Sequence, residues 1–543
     1  MQLDYLSKKN MEDLDFGFIL ERLQIVSPYG EIVKKSIKPY LKEQTEELLS
    51  VYDRLEAVMD LFERKRADVL ELKGLFKEIK LLDHTFDRIA EGETLSVPEL
   101  FEIKQLAMVM QRIHEQLQTL KFHKQVNGYT VHPTHSIIGL LDPEHSGVST
   151  FYIYSVYSDK LATIRAAIET LDKNVKKATN NLVAELNDDG FPVLSNGEIR
   201  VPVRDQTLMA RVKSDHRFVY KSDVPMYSIF SVKVEGDFKA QKDALLLEEE
   251  EEEYEVRMRL TEALKKHLEL LTTNVRHIGE IDFLIAKVQF CIAFNCIRPQ
   301  ISESNELLIE AGRHLKVAYS LEKSGKRFTP INVSLKKSVT LITGANMGGK
   351  TVSLKMIGQV VTMAQYGFFV PCKKLEMPLF DYVFVSVGDF QSIDMGLSTF
   401  GGEIVEIERA IKREHEFGLI LIDELARGTN PLEGFAISKA LIEHLTQFDS
   451  RTVITTHFDG LTHVEETAHY QVNGLSGIDL DTIRDKIESE GVGLLHAYMD
   501  YRLTEVSQMK EIPKEALRIS EIMGLDARIV NRAKEILGGS NDE

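Results

Sequence analysis

At 543 residues, 43% of them hydrophobic, the chain is long enough for several buried cores, and about 100–200 residues per domain gives an expectation of about three or four domains. The formal net charge of −18, from 66 Lys and Arg against 84 Asp and Glu, excludes a surface that is basic throughout, so any nucleic-acid contact is confined to a local patch. Cys291, Cys296 and Cys372 are too few for a disulfide framework and lack a second pair at zinc spacing. The N-terminus MQLDYLSKKNMEDLDF has no apolar signal region and no run reaches about 18 apolar residues, so a soluble, cytoplasmic protein without a membrane span is expected.

From residue 13 to about 125 the apolar residues recur at helical spacing, as in EELLSVYDRLEAVMDLF, with Gly and Pro sparse. We expect a helical core domain over 1–150, followed by one long helix over 151–187. Between 188 and 238 short β-like runs (FPVLSNGEIRVPVRD, RFVYKSD, YSIFSVKVEG) are separated by Asp-Gly and Asn-Gly turns, which predicts a small β-rich insert. A second long helix is predicted from near Lys239 through the six-glutamate run at 248–253 toward Asn295, in a returning segment over 239–305; the acidic run reads as a solvated helix face. Two long helices flanking an insert imply an antiparallel lever, about 35 residues at 1.5 Å each spanning roughly 50 Å. Beyond Arg313 short apolar strands (SVTLITG, YVFVSVGD, GLILIDE, RTVITTH) alternate with helices, the pattern of an α/β domain around a largely parallel sheet, placed at 306–500; a helical tail follows over 501–543.

Within that domain Gly344, Ala345, Asn346, Met347, Gly348, Gly349, Lys350 and Thr351 satisfy G-x-x-x-x-G-K-[ST] directly after an apolar run. Glycines there let backbone N–H groups wrap phosphates, Lys350 supplies positive charge, and the Thr351 hydroxyl reaches Mg2+. The strand at 419–422 ends in Asp423 and Glu424, an acid to hold the metal and a neighbour to orient or deprotonate water. The strand at 452–455 ends at Thr456 and His457, where an imidazole can sense the γ-phosphate, although a histidine at a strand end is more often structural.

The order of these strand ends resembles that of an ABC-type ATPase, and the likeness becomes specific to the MutS family. TGANMGGKT is similar to the family's TGPNMGGKS, LILIDELARGTNPLEG to its DE-x-GRGT block, and ITTHFDGL to its ATH-x-x-EL switch. GDFQSIDMGLSTFGGEIVEIE resembles its serine signature, IGEIDFLIAKVQFCIAFNCIRPQI its lever-to-core helix, EAGRHL the entry to its ATPase domain, and ALRISEIMGLDARIVNRAKEIL its C-terminal helical tail. The likeness covers nearly the whole chain and is strongest after about Ile278.

The resemblance implies ATP and Mg2+ as cofactors, Lys350 and Thr351 on phosphate and metal, Asp423 supporting the metal, Glu424 as catalytic base and His457 as γ-phosphate switch. It also implies a homodimer in which Ser398 contacts the γ-phosphate in the partner's site and the tail serves dimerisation; a serine at that position would equally cap the helix that follows. Phe328 matches the adenine-stacking aromatic apart from a two-residue length difference, with core burial the alternative. The fold class expected is therefore multidomain: an all-α core and lever with a β-rich clamp-like insert, then an α/β P-loop ATPase domain of ABC type and a helical tail.

The mismatch-reading domains with their Phe-x-Glu wedge are not expected, because the chain starts at a segment resembling the helical core. The second bacterial MutS clade, which shares SLSTF and GT-x-P-x-EG, is the nearer likeness, but no nuclease domain is expected after the tail. The insert departs from that clade in lacking the Gly-rich turn after VKSDHRF, and Arg427 is of the mismatch-repair type. The insert carries Arg200, Arg204, Arg211, Lys213, Arg217 and Lys221 against Asp205 and Asp215, with Phe218 and Tyr220 interleaved, so Arg211, Lys213 and Arg217 are candidate DNA contacts and a solvated hairpin face is the alternative. The family likeness leaves two partner classes open: a branched or recombination DNA structure, or, as in reactivating factors, an adenosylcobalamin-dependent aminomutase such as lysine 5,6-aminomutase.

Overall fold

A computed structural model of the chain describes residues 4–234, 236–344, 349–388, 399–426, 429–458, 460–474, 500–506, 517, 520–521 and 525–539. Its contacts group into two units, one of residues 1–77, 118–129 and 278–543, the other of 78–117 and 130–277. Among the described residues no helix is long and apolar enough to cross a membrane.

The first unit is built on a six-stranded sheet ordered Asp500–Glu505, Thr467–Gly474, Val339–Thr343, Arg451–Thr455, Gly418–Asp423, Tyr382–Ser386. Its pairings are parallel except the one between Asp500–Glu505 and Thr467–Gly474. Every residue of Val339–Thr343, Tyr382–Ser386, Gly418–Asp423 and Arg451–Thr455 is buried, as the continuous apolar runs require of strands covered on both faces. The far edge is closed by the N-terminal segment: the Val383 N–H donates to the Tyr5 carbonyl at 2.8 Å, and the Asn10 side chain donates to the Val385 carbonyl at 2.7 Å. A second sheet, ordered Gln300–Ile301, Lys374–Met377, Leu307–Gly312, Ile331–Leu335, lies in the same unit.

The helix Lys350–Gln365 is buried almost throughout, so its polar side chains must be satisfied inside the protein. Gln359 donates to the Leu14 carbonyl at 3.0 Å and accepts from the Leu315 N–H at 2.9 Å. Gln365 donates to the carbonyls of Tyr40 and Phe380 and accepts from the Phe380 N–H, while the Tyr52 hydroxyl donates to the Ala364 carbonyl at 2.8 Å. Past the last turn, buried Lys287 donates to the carbonyls of Tyr366 and Gly367 at 3.1 and 2.9 Å. A cation at a helix C-terminus satisfies orphan carbonyls and complements the helix dipole.

In the second unit the helices Asp159–Asp188 and Phe238–Lys265 run antiparallel, because Arg165 pairs with Glu249 and Glu253 at 2.7 and 2.6 Å while Asp172, seven residues on, pairs with Lys242, seven residues back, at 2.5 Å. The acidic run expected as a solvated face is split by this seam. Glu249, Glu252 and Glu253 face Arg165, Lys160 and Ser158, while Glu248, Glu250 and Glu251 are exposed. The returning helix is not continuous: Phe238–Lys265 gives way to a separate helix, Leu268–Ala293, after the backbone tightens to a bond from His267 N–H to the Leu264 carbonyl. The intervening sequence holds neither Pro nor Gly, so this break has no composition signal.

The insert forms an antiparallel sheet ordered Glu198–Pro202, Tyr227–Val232, Phe218–Val224. Beside the strands of the β-rich insert that was expected, it also contains a helix, Gln206–Ser214, for which the sequence raised no expectation. Asp205 caps that helix by accepting from the Leu208 N–H at 2.9 Å, and Val212 packs into a core with Phe191, Ile199, Val201, Phe218 and Phe230. A buried ion pair, Lys104 with Asp142 at 3.2 Å, fixes the segment preceding the first long helix; Lys104 also donates to the Thr150 carbonyl at 3.0 Å.

Candidate functional site

The strand Val339–Thr343 delivers the chain to Gly344 at φ +133°, and the helix beginning at Lys350 is preceded by Gly349 at φ +86°. Both conformations favour glycine. Space is tight as well: a Cβ on Gly344 would lie 3.0 Å from the Val472 Cβ, and one on Gly349 would lie 3.1 Å from the Tyr501 ring. Ala345, Asn346, Met347 and Gly348 lie outside the described residues.

Lys350 opens the helix with its side chain buried; its Nζ donates to the Gly344 carbonyl at 2.7 Å and stands 3.5 Å from Glu424 Oε1. Thr351 donates its hydroxyl to Asp423 Oδ2 at 2.8 Å. Parallel register brings a further group to this carboxylate, since Asp423 lies opposite Thr455, whose hydroxyl donates to Asp423 Oδ1 at 2.6 Å. The Glu424 N–H then donates to both the hydroxyl and the carbonyl of Thr455, at 2.9 and 3.1 Å. Thr455 was not legible as a site residue; the signal was its place one strand over from Asp423 in a sheet of known order.

Glu424 is buried and sits at φ +52°, with Ala426 at +65°. A left-handed conformation in non-glycine residues costs about 1–3 kcal/mol each and persists where surrounding contacts enforce it. At Glu424 the two bonds that its N–H donates to Thr455 do so, with the carboxylate standing beside Lys350. Behind the loop, Thr343 Oγ1 lies 2.7 Å from His469 Nε2, and burial lowers the His469 pKa.

His457 follows the neighbouring strand and is exposed, its ring tilted against Phe458 at 4.5 Å, which itself meets Phe435 edge-on. Phe328 is half-buried in the segment between the helix Leu315–Lys323 and the strand Ile331–Leu335. Ser398 and Arg427 lie outside the described residues. The residues present fit a nucleoside triphosphate with magnesium. A Cβ on Gly344 or Gly349 would press on Val472 or Tyr501, the Lys350 amine opens the helix, and the Thr351 hydroxyl and the Asp423 carboxylate are already in contact.

The candidate DNA contacts are differently disposed. Lys213 is exposed, whereas the Arg211 guanidinium lies 4.5 Å over the Phe191 ring and donates to the Asp189 carbonyl at 3.1 Å. Arg217 is enclosed by Asp215, Glu185 and Asp189, at 2.7, 2.8 and 2.8 Å, and only 19% of its side chain is exposed. Its charge is therefore committed inside the insert. Lys221 pairs with Glu198.

The sheet order and the strand–glycine turn–helix geometry define a multidomain α/β protein with mixed sheets. Residues 340–539 match the family model of MutS domain V, which ties that segment to the MutS family. It is 28% identical to Endonuclease MutS2 of Aquifex aeolicus over 542 residues, 95% of this chain and 66% of that protein. It is likewise 28% identical to Endonuclease MutS2 of Caldanaerobacter subterraneus subsp. tengcongensis over 73% of this chain and 48% of that protein. To DNA mismatch repair protein MutS of Geobacillus sp. (strain WCH70) it is 32% identical over 55% of this chain and 33% of that protein. The matched regions thus span between a third and two thirds of these relatives' lengths.

Proposed function

We propose that the chain is an ATP hydrolase that uses magnesium and acts as a homodimer. The observation carrying this reading is the convergence on Asp423 of two hydroxyls, Thr351 and Thr455, beside a buried Glu424 held in a strained backbone. Lys350 and the glycine turn would hold the phosphates, and Thr351 and Asp423 the magnesium, which when bound neutralises charge on the phosphate oxygens. Glu424 would position and deprotonate the attacking water, a task suited to a carboxylate kept out of bulk solvent. His457 would read the γ-phosphate, Phe328 would stack on the base, and Ser398 would complete the site of the second subunit.

The domain plan assigned from the sequence gives this chemistry a mechanical output. The helix starting at Lys350 ends on Lys287, and Lys287 belongs to the helix Leu268–Ala293, which follows the antiparallel pair in sequence. Closure around ATP would be passed along this route to the clamp-like insert. DNA is the partner that the names of the relatives favour, and a branched or recombination structure bound without reading mismatches is the form expected from the sequence. With Arg217 internally paired, Arg211 and Lys213 remain to contact phosphates. A protein partner draws support from Val203, Tyr220, Val224 and Met226, which expose apolar surface on the insert.

The decisive experiment compares Glu424→Gln with Lys350→Ala. The first is expected to bind ATP with turnover reduced by about 10²–10⁴-fold, the second to lose nucleotide affinity. Wild-type turnover in Glu424→Gln would remove the assigned base. The partner is tested separately: changing Arg211 and Lys213 to Glu should weaken DNA binding across all sequences and flatten its salt dependence, by about 0.9 in log–log slope for each phosphate that is no longer neutralised. Unaltered, weak DNA binding would favour the protein partner and leave the ATPase assignment standing.

A further inference from the structure

The three cysteines of the chain are all buried free thiols in the first unit, and two are placed side by side by a helix-ending turn. At the end of the helix Leu268–Ala293, Asn295 adopts φ +49°, the Cys296 N–H donates to the Cys291 carbonyl at 2.9 Å, and the Asn295 N–H donates to the Ile292 carbonyl at 3.3 Å. These two bonds, six-to-one and five-to-two, with a left-handed residue between helix and exit, constitute a Schellman motif. Its first and last positions are those whose side chains meet. Here both are cysteine, and the neighbouring Cys291 adds to the burial that raises the Cys296 thiol pKa.

The turn is held from outside as well. Arg313 donates to the carbonyls of Phe294 and Asn295, and Ile297 exchanges both backbone hydrogen bonds with Val370, at 2.8 and 2.9 Å. Cys372 follows two residues after Val370, near Cys296 but without the shared turn. Among the described residues no three His, Cys, Asp or Glu side chains converge as a metal site requires, which leaves the thiols their redox chemistry.

We propose that Cys291 and Cys296 are a dithiol that hydrogen peroxide closes to a disulfide across the C-terminal turn of the helix Leu268–Ala293. Cys296 is 9% exposed and Cys291 not at all, so peroxide meets Cys296 first. Its sulfur attacks one peroxide oxygen, the O–O bond breaks, and the departing hydroxide takes the thiol proton as water, leaving a sulfenic acid. The Cys291 sulfur then attacks the Cys296 sulfur, the S–O bond breaks, and hydroxide leaves with the Cys291 proton as a second water. Two thiols are oxidised and one peroxide is reduced. Burial raises the pKa of Cys296, with the Cys291 contact adding to the effect, so the first step is slow; a thiolate the protein does not stabilise also makes the disulfide resistant to reduction once formed.

The test uses the folded, full-length chain exposed to hydrogen peroxide, then alkylated in denaturant and digested with trypsin. Both cysteines fall in one peptide, VQFCIAFNCIRPQISESNELLIEAGR, since trypsin does not cut between Arg298 and Pro299; it is expected unalkylated and lighter by its two thiol hydrogens, with the titratable thiols falling from three to one and returning on reduction. Cys291→Ser and Cys296→Ser should each abolish this product, and Cys372→Ser should keep it. Three thiols titrating after treatment would overturn the proposal, as would sulfinic or sulfonic acid without the disulfide, a cross-link from Cys296 to Cys372, or closure only in denaturant. The thiol count on the unaltered protein decides the matter even where a serine variant fails to fold.

Discussion

Replacing Thr455 by Val tests the candidate site at the residue the structure added to it. The exchange keeps volume and removes the hydroxyl that donates to Asp423 Oδ1 at 2.6 Å and accepts from the Glu424 N–H at 2.9 Å. The second loss is cushioned, because the Glu424 N–H retains the Thr455 carbonyl at 3.1 Å. The first is not, since hydrogen bonds to a charged group contribute about 1.5–3 kcal/mol and Thr455 is fully buried. With Thr351 alone left to orient the carboxylate, a loss of about 2 kcal/mol in the aligned arrangement corresponds to about 30-fold. We expect kcat for ATP hydrolysis to fall by about that factor and the magnesium requirement to rise. KM for ATP should change little, because Lys350 and the glycine turn are untouched. Steady-state phosphate release across a magnesium titration measures this, and Thr455→Ser should recover most of the rate. A Thr455→Val enzyme at wild-type kcat, or a Thr455→Ser enzyme as slow as the valine variant, would refute the reasoning.

Two further predictions concern titration. Burial brings Lys287 down from 10.5 to about 7, so the unfolded chain holds more protons between those values and this group's contribution to stability grows as pH rises from about 7 toward 10.5. Lys287→Met should remove that rise, up to about 1.4 kcal/mol per pH unit, when denaturant unfolding of the two proteins is compared at pH 7 and 9.5. Burial pushes the Asp142 carboxyl up, but hydrogen bonds from Ser146, Gly147 and Lys104 outweigh it and bring the group from 3.8 to about 2. Its stabilisation is thus complete above about 4 and lost as pH falls through about 2; Asp142→Asn should be less stable than wild type at neutral pH, with the difference shrinking in acid, as read by thermal unfolding across that range.

Much of the first unit was legible because buried parallel strands are written as continuous apolar runs, and the four strands carrying Thr343, Ser386, Asp423 and Thr455 stand where those runs predicted. The glycines at either end of the G-x-x-x-x-G-K-[ST] segment were legible for a related reason: Gly344 and Gly349 each answer both a left-handed φ and a close neighbour. What escaped was pairing across the sequence. Thr467–Gly474 and Asp500–Glu505 are mixed in polarity, and nothing local to them announces that they crowd Gly344 and Gly349 through Val472 and Tyr501. Basic residues were counted as free charge in the insert, yet Arg217 is spent on Asp215, Glu185 and Asp189, two of which lie in the preceding segment. The acidic run misled in the opposite sense, since half of it is used by Arg165, Lys160 and Ser158 from a helix about 90 residues earlier. Charge composition therefore locates surfaces poorly wherever two long helices return along each other, because each can neutralise the other's pattern. The glycine turn and the acidic strand end survive as reliable signals because their partners are fixed by the sheet itself: once Arg451–Thr455 lies between Val339–Thr343 and Gly418–Asp423, Thr351, Asp423 and Thr455 have little choice but to meet.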